Sequence, residues 1–232
     1  MRRRLFFILL AIAVAAAFSL EVLLPRVASN AVAQGMTELT GSQQVKAQVT
    51  KSPSIAMLSG SFDSVAVDVR EAKIDKLIFS QLEANLTSVQ LNRENLFLRR
   101  TITLEQVGDA ALTAVISQEE VARYLNQNVK GVKNAVVTID AGKMQATSSF
   151  ALGGLANVAV TLEGRIVKNG QKLTFVTDKL ALNNATVGYF GGAMLTEIPL
   201  ADLTKLPFGV TVREIVLNQG KLTLFADNKP KS

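Results

Sequence analysis

The chain has 232 residues, a formal net charge of +6 and 48% hydrophobic residues, and it contains no histidine, cysteine or tryptophan. Those absences exclude imidazole acid–base chemistry, Ser-His-Asp triads, Cys or His metal sites and disulfide bonds. Setting aside Arg2, Arg3, Arg4 and Glu21 leaves 22 basic and 18 acidic residues. That is a mild bias toward anionic membrane surfaces and not the footprint of a nucleic-acid binder.

Leu5–Leu20 (LFFILLAIAVAAAFSL) is an apolar run behind the three arginines. With Glu21 and Val22–Leu24 it reaches about 20 residues, enough to span a hydrocarbon core of about 30 Å as a helix. The basic start predicts a cytoplasmic N-terminus and an exported remainder. Residues 1–24 are therefore expected to form a signal-anchor, single-pass in the cell membrane, with the rest on the extracytoplasmic side. The alternative is a cleaved signal and a secreted or periplasmic domain. Ala31-Val32-Ala33 has the small-x-small pattern for cleavage, but it lies well beyond the apolar run.

Val22–Leu39 has helical periodicity. Leu24, Val27, Ala28, Ala31, Val32, Gly35, Met36 and Leu39 recur at three- and four-residue spacing and form one stripe. The anchor and this stretch read as one continuous helix, stopped by Gly41. Strands follow at Gln43–Thr50 and Phe62–Arg70, with an apolar connection and a Ser59-Gly60-Ser61 turn between them. Further alternating runs occupy Leu77–Leu91, Leu96–Leu98 and Thr101–Ile116. Ser117 and Glu120 have the S-x-x-E spacing of a capping box, which predicts a second helix from Gln118 to about Asn128.

After Gly131 the chain reads as hairpins. Strands are expected at Ala135–Ile139, Met144–Leu152, Ala156–Val167, Lys172–Leu182, Val210–Leu217 and Leu222–Ala226. Glycine-bearing turns join them at Asp140–Lys143, Lys168–Gln171 and Asn218–Lys221. Gly188–Leu206 differs: a glycine-rich loop leads into an apolar segment expected to be partly helical around Leu200–Lys205. Residues 228–232 form a polar tail. The expected fold class is α+β, a strongly curved antiparallel sheet wrapped around two helices, with one domain over 25–227. A wide antiparallel meander twists, and its apolar face needs cover.

Val, Ala, Leu and Ile dominate the inward phases. Composition favours side chains that simply fill the core, but on a curved sheet small and medium ones can leave an apolar groove for an acyl chain, each buried methylene gaining about 0.8 kcal/mol. Three segments then carry a family resemblance. LPFGVTVREIVLNQGKLTLFA (Leu206–Ala226), SPSIAMLSGSFDSVAVDV (Ser52–Val69) and ISQEEVARYLN (Ile116–Asn126) resemble the LmeA-like phospholipid-binding family of bacterial envelope proteins, over roughly Val27–Ala226. The resemblance implies a fold similar to the tubular lipid-binding domains, phospholipid binding, and a role in envelope biogenesis or maintenance. It brings no catalytic residues.

The candidate lipid-lining residues are Val27, Ala31, Leu39, Val121, Leu125, Phe190, Met194, Leu195, Ile198, Leu203 and Phe208. Arg99, Arg100 and Lys205 are candidate head-group contacts. The expected partners are a phospholipid or other acyl lipid and the membrane itself, with no nucleic acid, cofactor, metal or catalytic residue. Two other function classes fit less or differently: a structural or adaptor protein with a filled core, and a lipid hydrolase. The last lacks both histidine and a G-x-S-x-G elbow.

Overall fold

A computed structural model describes residues 2–151, 157–169, 171–183, 185–187 and 197–230, with side-chain environments in the first helix given from Leu20 on. The contacts group into two compact units, Met1–Val69 with Glu83–Ala110, and Arg70–Leu82 with Ala111–Ser232.

The first unit is built on α1 (Arg2–Thr40), which runs unbroken through Pro25. Proline has no N–H to give the carbonyl four residues back, so α1 loses one rung there. Ala28, Ala31, Val32, Gly35, Met36 and Thr40 are buried, a narrower stripe than the sequence periodicity predicts. Val27 and Leu39, expected on that stripe, are 54% and 52% exposed. Val27 lies at the stripe's edge, and in the last turn it is Thr40 that faces inward, its hydroxyl donating to the Met36 carbonyl at 2.7 Å. Gly41 follows the helix in the left-handed region (φ +67°). Among the described residues no helix is long and apolar enough to cross a membrane. The expected span, 1–24, falls almost wholly where side chains are not described.

Strand β1 (Gln44–Thr50) lies along α1, where the Val49 N–H donates to Ser29 Oγ at 3.1 Å. A 3-10 turn, Ser54–Ser59, precedes β2 (Ser61–Ile74) and β3 (Leu77–Leu91). Within the first unit the strand order is β1-β2-β3, and β4 (Leu104–Gln106) pairs along β3. Gly60 joins the turn to β2 at φ +82°, and a Cβ there would stand 2.1 Å from the Leu91 carbonyl oxygen. Only glycine tolerates both demands.

The burial of β3 is not one alternation. Leu77 and Phe79 are buried in one phase, then Leu82, Ala84 and Leu86, then Val89 and Leu91. Ser88, in left-handed backbone (φ +51°), marks the second shift. Residues Asn95–Arg99 coil into a π-helical turn where the alternation predicts a strand. Asn92 Oδ1 caps that turn by accepting from the Asn95 N–H at 3.0 Å. The predicted strand Thr101–Ile116 is broken at Gly108, whose N–H reaches the Thr87 carbonyl at 3.0 Å.

In the second unit the tip of β3 is followed in the ladder by β5 (Ala110–Ser117), then by the two last strands of the chain. Helix α2 (Gln118–Asn128) has the predicted bounds. Ser117 Oγ accepts from the Glu120 N–H at 3.3 Å, which is half of a capping box. Glu120 does not complete it: Oε1 pairs with Arg123 at 3.0 Å, and Oε2 is buried without a hydrogen-bond partner.

The remaining strands are β6 (Val132–Asp140), β7 (Lys143–Ala151), β8 (Asn157–Asn169), β9 (Lys172–Leu182), β10 (Ala185–Val187), β11 (Glu197–Asp202), β12 (Thr211–Asn218) and β13 (Lys221–Asp227). Among the described residues hydrogen bonding forms two sheets, where a single sheet is expected from the sequence. One contains β5-β13-β12; the other is β10-β9-β8-β7-β6, with β11 also on β9. The reason lies at β5. Its free edge is taken by β13, with Leu222 opposite Ile116 and Leu224 opposite Ala114. Helix α2 then intervenes, and β6 starts a new ladder. The two ladders are stitched at their turns: the Gly220 N–H donates to the Ile139 carbonyl at 2.8 Å, and Gly142 N–H to Leu217 at 3.2 Å. Leu200, expected in a helical segment, lies in β11 because β9 offers that strand an open edge. The 3-10 turn starts only at Leu203. The fold is thus α+β, antiparallel, with two α-helices among the described residues.

Candidate functional site

Each unit carries one set of the candidate residues. In the first, Ala31 is buried on α1 amid the small side chains Ala28, Val32 and Gly35. The smallness has a local cause. A Cβ on Gly35 would stand 2.8 Å from Ile102 Cδ1 and Cγ1, so the segment after the π-turn lies directly on the helix. Val27 and Leu39 point outward, away from that packing.

In the second unit, Val121 and Leu125 are buried on one face of α2, and Ile198 and Leu203 are buried on β11 and the turn after it. The Tyr124 hydroxyl brings these elements together, donating to the Pro199 carbonyl at 2.8 Å. Pro199 sits between buried Ile198 and Leu200, so one hydrogen bond fixes the helix against the strand that bears the apolar candidates. Burial pushes the Tyr124 phenol above its ordinary value, with Asp75 adding to the effect. Phe208 is half-buried in left-handed backbone (φ 66°). Phe190, Met194 and Leu195 lie outside the described residues.

The three candidate head-group cations differ. Lys205 Nζ is 2.7 Å from Asp75, and that hydrogen bond raises the lysine's pKa. Arg99 pairs with Glu94 at 2.9 Å. Arg100 is exposed at the end of the π-turn. A shallow cleft of about 350 Å³ is lined by Leu58, Arg93, Glu94, Phe97 and Leu98. A second open cleft, of about 570 Å³, lies between α1 and β1 around Arg26, Ser29, Gln48 and Lys51. Among the described residues no three acidic side chains converge on a point that would hold a metal ion.

Two features escaped the reading of residue pattern. Tyr124 stands beside Val121 and Leu125 at helical spacing, which reads as part of an apolar stripe, and its hydroxyl partner is 75 residues away. Arg93, Phe97 and Leu98 sit in a stretch whose three consecutive apolar residues read equally as strand. The signal that marks it as a turn is Asn92 with Asn95, the side-chain geometry that competes with a ladder.

These residues supply buried apolar side chains and a few exposed cations. A family model described as LmeA-like phospholipid-binding matches residues 20–227. No curated protein and no solved structure matches the chain.

Proposed function

The chain belongs to the LmeA-like phospholipid-binding family, and from that premise we propose that it is a membrane-anchored phospholipid-binding protein of the bacterial envelope. The match over residues 20–227 carries the phospholipid-binding part of this reading, and the apolar run behind three arginines supports the anchored part. In it, the acyl chain is held by apolar side chains of the kind clustered on the inner faces of α1 and of α2 with β11. The apolar run behind Arg2, Arg3 and Arg4 holds the protein in the membrane, with the matched region on the extracytoplasmic side. No bond is made or broken. Transfer of lipid between membranes is the extended form of the same activity.

The test is native mass spectrometry of the chain from Leu20, produced in bacteria and purified without added lipid, followed by lipid extraction. Starting at Leu20 keeps Glu21, whose carboxylate accepts from Ser54 Oγ at 2.6 Å. A stoichiometric phospholipid adduct is expected. A bare protein mass that persists after lipid is added back would refute lipid binding. It would favour the second reading, a non-catalytic structural or adaptor protein with a filled core. The close packing of Ile102 on Gly35 is the observation that speaks for that alternative.

A further inference from the structure

The apolar run of α1 ends at Leu20, and the first polar side chain beyond it is already engaged. Glu21 accepts hydrogen bonds from the Ser54 N–H at 3.1 Å and the Ser54 hydroxyl at 2.6 Å. Ser54 is buried and opens the Ser54–Ser59 turn, so that turn is fastened to α1 one residue past the run. From it Ile55 and Leu58 point outward, each 48% exposed. Leu58 shares a cleft with Phe97 and Leu98 of the neighbouring π-turn, and Leu98 is 79% exposed.

This exposure is held in place. Leu96 is fully buried beneath the π-turn. Asn95 Nδ2 donates to Thr103 Oγ1 at 2.9 Å, and Asn92 Nδ2 to Glu105 at 2.8 Å. The π-turn and its flanks carry Arg93, Arg99 and Arg100 against Glu94, which pairs with Arg99 at 2.9 Å, and Glu105, which accepts from Asn92. Exposed leucine with phenylalanine, rimmed by arginine, is the pattern of a surface that seats at the bilayer interface and meets anionic phosphates. The fastening to Glu21 sets this patch at the level where a helix spanning with Leu5–Leu20 would leave the hydrocarbon.

We propose that Ile55, Leu58, Phe97 and Leu98 form a ledge that seats in the headgroup layer of the membrane holding α1, with Arg93 and Arg100 on lipid phosphates. The proposal rests on the anchored reading above. It adds a second, reversible contact that fixes how the first unit stands on the bilayer.

The absence of cysteine makes the test clean, because a single introduced thiol is the only labelling site. The full chain carrying Leu98→Cys, labelled with the environment-sensitive fluorophore NBD, is reconstituted into equimolar phosphatidylcholine–phosphatidylglycerol vesicles. The control is Gln48→Cys, exposed on β1 beside Val49, whose N–H bonds Ser29. Ser29 lies eight residues, about 12 Å, further along α1 than Glu21. Nitroxide placed shallowly on the acyl chains is expected to quench the probe at 98 about threefold more than at 48, as for a residue in the interface. Arg93→Glu with Arg100→Glu should abolish that difference. Equal quenching at both positions, in a chain that resists alkaline carbonate extraction, would overturn the ledge and leave the anchor standing. A probe shielded from water yet unquenched by lipid nitroxides would overturn it in favour of a protein contact. Extraction by carbonate would overturn anchor and ledge together.

Discussion

Gly35→Ala probes how the segment beyond the π-turn is held on α1. A glycine inside a helix costs about 1 kcal/mol relative to alanine. On propensity alone the substitution would stabilise the protein by that amount. The new Cβ, however, would stand 2.8 Å from both Cδ1 and Cγ1 of Ile102 and 3.3 Å from the Arg100 carbonyl oxygen. Carbon pairs rest at about 3.5–4.0 Å, and overpacking of this kind costs about 1–3 kcal/mol. The net expectation is a loss of about 1 kcal/mol with Ile102 present. In an Ile102→Ala background the two nearest atoms are gone, and Gly35→Ala should then stabilise by about 0.5 kcal/mol, the rest being taken by the Arg100 carbonyl. The coupling between the two sites is therefore about 1.5 kcal/mol. Urea unfolding of the four chains of the cycle, followed by far-UV circular dichroism, measures it. If Gly35→Ala has the same effect in both backgrounds, to within about 0.3 kcal/mol, the segment is not seated on the helix and the placement of Leu98 loses its support.

Gly60→Ala must place a Cβ 2.1 Å from the Leu91 carbonyl at φ +82°, and should cost more than about 2 kcal/mol in the same unfolding assay; a neutral result would mean the turn is not so held. Glu120→Gln reports on burial of charge. Desolvation, then Glu71 and Glu119, hold that carboxyl above its ordinary value, with Arg123 opposing. A raised carboxyl gives stability that is complete below its unfolded pKa and lost as pH rises through the folded one. The glutamine variant should therefore gain on the wild type from pH 4 to pH 7, by about 1 kcal/mol; a constant difference in thermal midpoint would refute the assignment. Ala31→Trp overfills the buried stripe of α1, costing about 1–3 kcal/mol. It should lower retained phospholipid in native mass spectra, and full occupancy in a folded variant would put the acyl chain elsewhere.

What the sequence made legible follows from how local its signals are. Gln118–Asn128 announced both ends, through the Ser117 cap and the weak helix formers Asn126 and Asn128. Lys172–Leu182 and Leu77–Leu91 kept their bounds because a turn residue stands at each end. The failures came where the decisive partner is distant. Alternation through β3 hides its phase shifts, since a bulge exchanges faces without changing composition. Leu96-Phe97-Leu98 has no period to read, and Asn92 decides its winding. Leu200 became a strand residue because β9 left an edge open, a fact of topology and not of its own neighbours. For the candidate site, the apolar identity of Ala31, Val121, Leu125, Ile198 and Leu203 was readable. The tie between α2 and β11 was not, because a tyrosine on an apolar stripe gives no sign of which carbonyl its hydroxyl will find.

Glu21 changes how the N-terminal run is to be counted. Taken as one tolerated acid within a span ending at Leu24, it left about 20 residues for the hydrocarbon. Its bonds to Ser54 assign it instead to the folded unit. The run that remains, Leu5–Leu20, has sixteen residues. At 1.5 Å per residue that is about 24 Å, some 6 Å short of a typical core. A short span is met by thinning the bilayer or by sinking flanking apolar surface into it. Such surface is present past Glu21: Val22 and Leu23 on α1 are 44% and 52% exposed, with Ile55 and Leu58 on the turn that Glu21 holds. On the anchored reading, the mismatch and the ledge are one requirement, since the deficit of the helix is made up by the apolar side chains that its own first acid fastens beside it.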